Sequence, residues 1–437
     1  MSQSLPTPPP PHRASRKPRS LKAFLRPLPG WRLPRELRPL KVGRLARALP
    51  GGFRDPGFAA LLSRIDGGET WWGGNRIEVY CDGEQATQSM LAAIDAAQTE
   101  VLVEFYIFTD DSTGKRFAKC LTAARKRGVR VCVLADAIGS FSTAETFWKQ
   151  MQADGIEVHL FHRLFPDLWW HAFRDHRKIL VIDRKVGFTG GMNIADEYSS
   201  FTLRKKRIAP GAMRDTHVRV EGPVAWDLAV VFAEGWDKAR GGALPVTPPP
   251  ANPEGLARSL VLDSRPGRGH VETAATLAAI SAAAEKTLWL TNAYFAPGHA
   301  AVALLARAAA RGVDVRLLLP GKTDVQILLH AGHGWYTRLL KKGVRVFEYQ
   351  RALLHAKTLV ADRFCTVVGS TNLDFRSFQF NAECNLVTLD DEVGERLARA
   401  FEEDLADSRE VKLEEWRRRG NLHRLGDRLA GMLTPFL

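Results

Sequence analysis

The chain has 437 residues, a net charge of +14 and hydrophobic residues at 45% of its positions. This length exceeds one typical domain and allows two buried cores. No run approaches the 18 or more apolar residues of a membrane-spanning helix. The five cysteines show no C-x-x-C or Cys/His zinc spacing, so we expect buried free thiols in a reducing compartment rather than a disulfide framework.

Residues 1–55 form a basic, proline-rich tail. The tail holds 13 Lys and Arg against two acids, a net +11, which leaves only +3 for the rest of the chain. Its proline content predicts an extended or disordered segment. Apolar residues such as Trp31 and Leu33 are interspersed, as in a peripheral segment on anionic lipid, where each basic residue contributes about 1 kcal/mol. An unstructured solubilising extension is the open alternative.

Two copies of an α/β pattern follow, predicted over residues 56–240 and 259–410, with a Gly/Pro-rich linker at residues 241–258. Strand-like apolar runs begin near Val101 and Leu288, and each precedes a helical segment that ends at a Gly before another strand. Strands alternating with helices indicate α/β units with mostly parallel sheets.

The first copy is nine residues longer than the second just before its histidine motif. The extra segment, residues 164–173, is rich in aromatic side chains, including Trp169 and Trp170. Amphipathic aromatic rings favour a membrane boundary, so this insert fits a contact with acyl chains. A structural hairpin fits it equally well.

The strongest signal is the motif H-x-K-x-x-x-x-D, which occurs twice, 179 residues apart. In both copies a small-residue turn with an Asn follows. The residues are His176, Lys178, Asp183 and Asn193 in the first copy, and His355, Lys357, Asp362 and Asn372 in the second. One match alone is weak, but two with matching flanks indicate a single site built from two halves.

The residue types in this motif suit phosphoryl chemistry. Side chains at i and i+2 lie on one face of a strand, so each His lies beside its Lys. A neutral imidazole can attack phosphorus, and a fixed ammonium group can hold the phosphoryl oxygens.

One acid per half follows the motif on a later strand: Asp215 in the first half and Glu383 in the second. We expect each acid to orient an imidazole, and chain order pairs each with the histidine of its own half. A solvated carboxylate at a strand end is the alternative for either acid.

The duplicated motif and its flanks resemble the phospholipase D superfamily over most of residues 75–410. Within it, the chain resembles bacterial cardiolipin synthases of the short B type. The segments that carry this resemblance are residues 106–111 with Gly114, 135–140, 175–178, 369–374 and 381–385. The resemblance implies a duplicated α-β-α sandwich in the α/β class, whose two halves form one active site at their interface.

The resemblance also implies a two-step phosphatidyl transfer through a phosphohistidine, with His176 as the nucleophile and His355 as the acid and then the base. Roles for the remaining residues follow. We expect lysines that clamp the phosphate oxygens (Lys178, Lys357), amides that donate to them (Asn193, Asn372), acids that hold the imidazoles (Asp215, Glu383), and acids that brace a turn (Asp183, Asp362). No cofactor and no metal are expected, because Lys supplies the positive charge and the acids lack metal-ligand spacing.

The function implied is synthesis of cardiolipin from phosphatidylglycerol by a peripheral enzyme on the cytoplasmic face of the cell membrane. The expected partners are an anionic phospholipid surface and an alcohol or phospholipid acceptor. Residues 411–437 read as a basic amphipathic helix that either contacts membrane or packs on the protein. A phospholipase D-type hydrolase is an alternative. A metal-independent nuclease is less favoured, because the body is nearly neutral and lacks an evident basic groove. A non-catalytic scaffold is disfavoured, and the oligomeric state is left open.

Overall fold

The computed structural model describes residues 39–65, 71–161, 173–203, 209–245, 253–264, 271–420, 426–427 and 430. Several predicted segments lie wholly or largely outside these ranges: tail residues 1–38, most of the aromatic insert, linker residues 246–252 and most of the C-terminal helix. The expectations for these segments therefore stay predictions.

Strands from both halves join one mixed sheet. In the first half they are β1 (Trp72–Tyr80), β2 (Glu100–Phe105), β3 (Arg130–Asp136), β4 (Glu157–Phe161), β5 (Arg174–Asp175), β6 (Lys178–Ile182), β7 (Val186–Gly190), β8 (Met213–Arg214) and β9 (His217–Glu221). In the second half they are β10 (Ala257–Ser264), β11 (Thr287–Asn292), β12 (Asp314–Pro320), β13 (Arg345–Tyr349), β14 (Leu353–Leu354), β15 (Lys357–Ala361), β16 (Cys365–Gly369), β17 (Asn381–Leu389) and β18 (Ser408–Glu410). Two of these strands, β8 and β14, lie outside the large sheet and pair with each other in a separate two-stranded sheet.

The strand order shows the internal duplication. It runs β18-β13-β12-β11-β15-β16-β17-β10-β1-β9-β7-β6-β2-β3-β4. From the antiparallel pair β1–β10, the order outward is β9-β7-β6-β2-β3-β4 on one side and β17-β16-β15-β11-β12-β13 on the other, so corresponding strands hold corresponding places. Only β2-β3-β4 and β11-β12-β13 are parallel within this order. The expectation of mostly parallel sheets is therefore wrong. In each half a short hairpin at the motif Asp joins two antiparallel strands, β6 with β7 and β15 with β16.

The helices cover both faces of the sheet. They are α1 (Pro39–Arg47), α2 (Pro56–Ile65), α3 (Gly83–Ala96), α4 (Ser112–Lys126), α5 (Glu145–Ala153), α6 (Asp196–Ser199), α7 (Val224–Lys238), α8 (Val271–Ala283), α9 (Gly298–Ala310), α10 (Gln326–Leu340), α11 (Phe375–Gln379), α12 (Asp391–Ala406) and α13 (Leu413–Arg417). A 3-10 turn spans Gly52–Arg54. Helices α7 and α12 share one buried apolar cluster with strands of both halves, so the halves form a joint core. The α/β class and the duplicated architecture are confirmed.

The end of the basic tail is folded. Val42 and Ala46 of α1 are fully buried, and Phe53 meets Phe58 of α2 edge-on at 5.0 Å. These side chains join the core of the second half, together with α8. The expectation of an extended segment is therefore wrong for residues 39–55. Val42 and Ala46 are one helical turn apart, and burying this apolar stripe outweighs the local proline and arginine content. Helix α2, which the sequence assigns to the first half, also packs on the second.

Two further expectations concern the membrane and the cysteines. Within the ranges described above, no helix combines the length and the apolar character needed to cross a bilayer. All five cysteines are free and buried. Strand β10 begins at Ala257, inside the segment predicted as linker.

Candidate active site

Each motif histidine is held by the other half of the chain. Strand β5, just before His176, pairs in parallel with β17, and the His176 N–H donates to the Ala382 carbonyl at 2.9 Å. Strand β14, just before His355, pairs in the same way with β8, and the His355 N–H donates to the Arg214 carbonyl at 2.8 Å. Both histidine segments therefore cross the interface between the halves.

The imidazole–carboxylate pairs cross the interface too. Nδ1 of His176 lies 2.9 Å from Oε2 of Glu383, and Nδ1 of His355 lies 2.6 Å from Oδ2 of Asp215. The expectation that chain order pairs each acid with the histidine of its own half is wrong. The acids directly follow the strand positions on which the opposite histidine segment docks, so the pairing is set by that docking. Each carboxylate accepts the Nδ1 proton and leaves Nε2 as the reactive nitrogen.

The two carboxylates have different surroundings. Glu383 accepts hydrogen bonds from Ser370 Oγ at 2.5 Å and from Asn381 Nδ2 at 3.1 Å, and burial raises its pKa. At the corresponding place beside Asp215 stands Gly191, where a Cβ would lie 2.1 Å from Asp215 Oδ1. The longer acid thus has a serine donor, and the shorter acid fills the space left by a glycine.

Asp215 is ionised despite its burial. Burial raises its pKa, but Lys357 and His355 outweigh this effect and lower it to about 2. The backbone N–H of Thr216 also donates to its Oδ1 at 2.7 Å. The second half of the site therefore contains a fixed negative charge at Nδ1 of His355.

Both motif lysines are buried beside their histidines. Lys178 Nζ donates to the His176 carbonyl at 2.6 Å and lies 5.2 Å from the centre of the Tyr106 ring. Lys357 Nζ lies 2.8 Å from Nδ1 and 3.0 Å from Nε2 of His355. Burial lowers the pKa of Lys178 to about 7 and that of Lys357 to about 8.

Both imidazoles are neutral near pH 7. Burial lowers the pKa of His176 well below its ordinary value, and Lys178, Lys357 and His355 lower it further. Burial and Lys357 lower the pKa of His355 to about 4, against the opposing effect of Asp215. Charges of each half thus act on the imidazole of the other, and both Nε2 atoms keep a lone pair for attack or proton transfer.

The turn asparagines, Asn193 and Asn372, are predicted to donate hydrogen bonds to phosphate. The Asn193 side chain holds the local backbone and a tyrosine: its Oδ1 accepts from the Ile107 N–H at 3.1 Å, and its Nδ2 donates to Tyr198 Oη at 2.8 Å. The backbone N–H of Asn372 donates to Ser377 Oγ at 3.3 Å, and among described residues its buried Oδ1 has no hydrogen-bond partner. A donor role for either amide toward phosphate stays a prediction.

Asp183 and Asp362 lie at the far ends of β6 and β15, about 16 Å from the lysines at ~3.3 Å per residue. Both have positive φ, 51° and 50°. Asp183 accepts three consecutive backbone N–H groups, of residues 98–100, at 2.7–2.9 Å. Asp362 does the same for residues 285–287 at 2.8–2.9 Å. Their geometry is that of turn braces, away from the imidazoles.

Aromatic rings line the site, and the sequence did not single them out for this. Tyr106 meets the His176 ring edge-on at 4.9 Å, while Tyr198 and Tyr294 meet the His355 ring at 5.3 and 6.1 Å. Tyr106 and Tyr294 follow corresponding strands β2 and β11, which was the available signal. These rings limit the approach of water to the imidazoles.

Buried arginines that the sequence did not reveal tie the halves together beneath the site. Arg214 forms two hydrogen bonds with Asp404 of α12, at 3.0 and 2.7 Å, and donates to the Asp215 carbonyl at 2.5 Å. Arg177, the variable residue inside the first motif, contacts Glu104 of the first half and Asp263 of the second. These charge-assisted contacts fix the backbone that carries Asp215 and His176.

Two neutral imidazoles, each with a carboxylate at Nδ1, lie beside two buried lysines, and this combination of groups is suited to phosphoryl transfer. The family described as "Cardiolipin synthase, PLD-like domain" matches residues 90–204 and 277–405. The chain belongs to this family, and the expected phospholipase D superfamily is thereby confirmed.

Curated relatives agree with this assignment. Over 83% of its length the chain is 36% identical to cardiolipin synthase A of Pseudomonas fluorescens (strain Pf-5), covering 75% of that protein. Over 83% of its length it is 35% identical to cardiolipin synthase A of Pseudomonas aeruginosa (strain PAO1), covering 74% of that protein.

Solved structures share the fold. A phosphatidylserine synthase from Haemophilus influenzae Rd KW20 superposes with a TM-score of 0.66 at 12% identity, over 87% of this chain and 100% of that one. A polyphosphate kinase from Porphyromonas gingivalis superposes with a TM-score of 0.52 at 14% identity, over 78% of this chain and 49% of that one. At these identities the likeness shows the fold alone.

Proposed function

We propose that the chain synthesises cardiolipin by transferring a phosphatidyl group from phosphatidylglycerol to the hydroxyl group of a second phosphatidylglycerol. The observation that carries this proposal is the pair of crossed imidazole–carboxylate contacts, His176 with Glu383 and His355 with Asp215, each beside a buried lysine. Membership of the cardiolipin synthase family supports the choice of lipid substrates.

In the first step, Nε2 of His176 attacks the phosphorus of the donor. A P–N bond forms, the P–O bond to the glycerol headgroup breaks, and His355 transfers its proton to the departing glycerol oxygen. His355 is neutral before substrate binds, so the anionic phosphodiester has a second effect. Its negative charge raises the pKa of His355 and favours the imidazolium that serves as the acid.

In the second step, His355 acts as the base. It removes the proton from the acceptor hydroxyl, whose oxygen attacks phosphorus, and the P–N bond to His176 breaks. Cardiolipin is released and His176 is unmodified again. His355 again holds a proton for the next donor. Lys178 and Lys357 hold the phosphate oxygens through both steps, and Glu383 and Asp215 keep each Nδ1 protonated.

The contacts of the two imidazoles support His176 as the nucleophile. Lys357 Nζ lies close to both ring nitrogens of His355, 2.8 Å from Nδ1 and 3.0 Å from Nε2, and its positive charge makes the Nε2 lone pair less available. Within the ranges described above, no hydrogen bond reaches Nε2 of His176, whose only ring hydrogen bond is that of Nδ1 with Glu383. The more available lone pair is the better nucleophile.

Hydrolysis is the main competing function, with water in place of the acceptor. His176 and His355 are 8% and 7% exposed, and the tyrosines around them restrict water, which favours transfer to a bound alcohol. A nuclease has less support, because the body of the chain carries only +3 of the net charge and a nucleic-acid groove is normally strongly basic.

We further infer that the enzyme works on an anionic bilayer surface as a peripheral protein of the cytoplasmic face. The basic tail of residues 1–55, with its net +11, supports this location. The curated relatives reported above are named cardiolipin synthase A, so assignment to the short B type rests on the sequence motifs alone and stays a prediction.

The test is mass spectrometry of the products formed from phosphatidylglycerol liposomes. We expect cardiolipin and free glycerol in equal amounts, and no product from His176→Ala or His355→Ala. Phosphatidic acid without cardiolipin would show that the protein is a hydrolase and not a transferase. No turnover of lipid, together with metal-independent cleavage of single-stranded DNA, would show that the protein is a nuclease.

A further inference from the structure

A second cluster of ionisable side chains lies outside the catalytic residues, on helix α10 of the second half. His330 and His333 are one helical turn apart and face Asp427, which is nearly 100 residues further along the chain. One ligand atom from each of the three residues lies within 4.8 Å of the other two. Imidazole nitrogen and carboxylate oxygen are the ligand types that zinc takes in proteins.

The spacing of these atoms suits a single metal ion. Oδ1 of Asp427 lies 2.9 Å from Nδ1 of His330 and 3.6 Å from Nδ1 of His333. Ligands at the usual zinc distances around a tetrahedral centre are about 3.3–3.4 Å apart. The two observed distances lie on either side of that value, so small side-chain rotations would bring all three atoms into position.

The surrounding residues form an outer shell of the type that supports metal ligands. Nε2 of His333 faces Oε1 of Glu348 at 3.5 Å and, within the described part of the chain, has no hydrogen-bond partner. With a metal at Nδ1, the ring proton would lie on Nε2 and point at this carboxylate, the arrangement common for zinc-bound histidine. Trp416 and Tyr336 meet the His333 ring edge-on at 5.0 and 5.1 Å and fix its orientation.

Two arginines next to the cluster contact the carboxylate oxygens that face away from the histidines. Arg419 lies 2.9 Å from Oδ2 of Asp427, and Arg409 donates to Oε2 of Glu348 at 2.6 Å. Oδ1 of Asp427 and Oε1 of Glu348 remain directed at the imidazoles. The arginines therefore orient both carboxylates without occupying the space between the three ligand atoms.

Access from solvent is available on one side. The His330 side chain is 40% exposed, whereas that of Asp427 is 4% exposed. An ion can reach the cluster past His330, and water can complete its coordination there. A site with three protein ligands and one water is an ordinary zinc arrangement.

We propose that His330, His333 and Asp427 bind one zinc ion, which fastens the chain around residue 427 to helix α10. The proton on each liganding nitrogen is replaced by the ion, so both imidazoles bind in the neutral form. This site is separate from the catalytic histidines, and its role is structural. The proposal does not depend on the lipid substrate.

The experiment is a zinc titration of the full-length chain, stripped of metal with a chelator, against a chromophoric zinc indicator. We expect the wild type to take up one more equivalent, at micromolar zinc, than the His330→Ala variant does. His333→Ala and Asp427→Asn should lose the same equivalent. Glu348→Gln should keep it with an affinity lowered by about tenfold or more.

His299→Ala is the matched control, because His299 lies on the neighbouring helix α9 and contacts Arg338 rather than an acid. It should bind zinc as the wild type does. Since His176 and His355 also pair with carboxylates, only the difference between the wild type and the His330 variant is assigned to this cluster. His330 is exposed enough for its replacement to leave the fold intact, which circular dichroism would verify.

Limited proteolysis gives a second readout. Zinc should slow cleavage near residue 427 in the wild type and leave the rate unchanged in His330→Ala. Equal zinc stoichiometry and affinity in the wild type and in His330→Ala would overturn the proposal. The cluster would then be an ion-pair network of His330, His333, Asp427 and Arg419 that holds the same segment without metal.

Discussion

The crossed pairing makes the effect of Asp215→Asn specific to one imidazole of the site. The substituted amide keeps the shape of the side chain and loses its charge. Burial raises the pKa of Asp215, but its cationic neighbours lower it to about 2 from an ordinary 3.8. This difference corresponds to about 2 kcal/mol in favour of the ionised carboxylate. Since the group is fully buried, solvent screens little of it.

In the proposed first step His355 is the acid and carries a proton, so the Asp215 carboxylate should stabilise that transition state. Loss of about 2 kcal/mol would lower kcat by about 30-fold, with little change in KM. Lys357 also contributes to the low pKa of Asp215, so Asp215→Asn removes the attraction of the carboxylate to Lys357 as well as to His355. An amide that donates to Nδ1 would invert the tautomer of His355 and add to the loss.

The assay is the initial rate of cardiolipin formation in mixed micelles, read by mass spectrometry, with nitrogen NMR of labelled histidine side chains. Asp215→Asn should alter the ring signals of His355 and leave those of His176 nearly unchanged. Glu383→Gln is the matched variant and should do the reverse. A kcat within threefold of the wild type, or altered signals at His176 alone, would refute the crossed pairing as the working arrangement.

Three further predictions follow from the site. His176→Ala and His355→Ala should each abolish transfer, and the double variant should be no worse than either single one, because the two residues act as a unit; rates from single-turnover experiments test this. The pKa values of about 7 for Lys178 and about 8 for Lys357 mean that their charges are lost as pH rises through this range, so kcat/KM should fall above about pH 7. The negative charge of a bound phosphodiester raises the pKa values of both lysines. The decline of kcat should therefore occur at higher pH than the decline of kcat/KM in a pH–rate profile, and declines at the same pH would contradict this reasoning. Asp183→Ala removes the acceptor of three backbone N–H groups and should lower the free energy of unfolding by about 1–2 kcal/mol at this partly exposed turn; an unchanged midpoint in urea would count against the brace.

Local spacing made part of the site predictable. Short sequence spacings relate the His and Lys of each motif, at i and i+2, and the Asp five residues beyond the Lys. The geometry of a strand therefore determines their relative positions. The braced turn follows in the same way, because Asp183 and Asp362 end their strands. The Asn193 contact with Tyr198 is local as well, but an Asn after a small-residue turn does not indicate which partner its amide selects.

Long-range contacts made the rest unpredictable. Which acid serves which histidine depends on β5 pairing with β17 and β14 with β8, and the paired residues are 140 and 207 positions apart. The bond between Arg214 and Asp404 spans 190 positions. None of these long-range contacts produces a periodic pattern in the sequence. The folded end of the tail is a different case: the helical spacing of Val42 and Ala46 is present in the sequence, but the prolines around it favoured the prediction of an extended segment.

The exchange of histidine segments across the interface has an evolutionary consequence. Contacts in which element i of one half meets element j of the other, and j of the first meets i of the second, are those of a two-fold symmetric homodimer. A single ancestral half could therefore have made this site by pairing with its own copy. Joining the copies in one gene released each from that symmetry, so mutations could settle separately on the two sides. The Glu383–Ser370 pair on one side and the Asp215–Gly191 pair on the other show this divergence, which would allow two equivalent histidines to take the different roles proposed above.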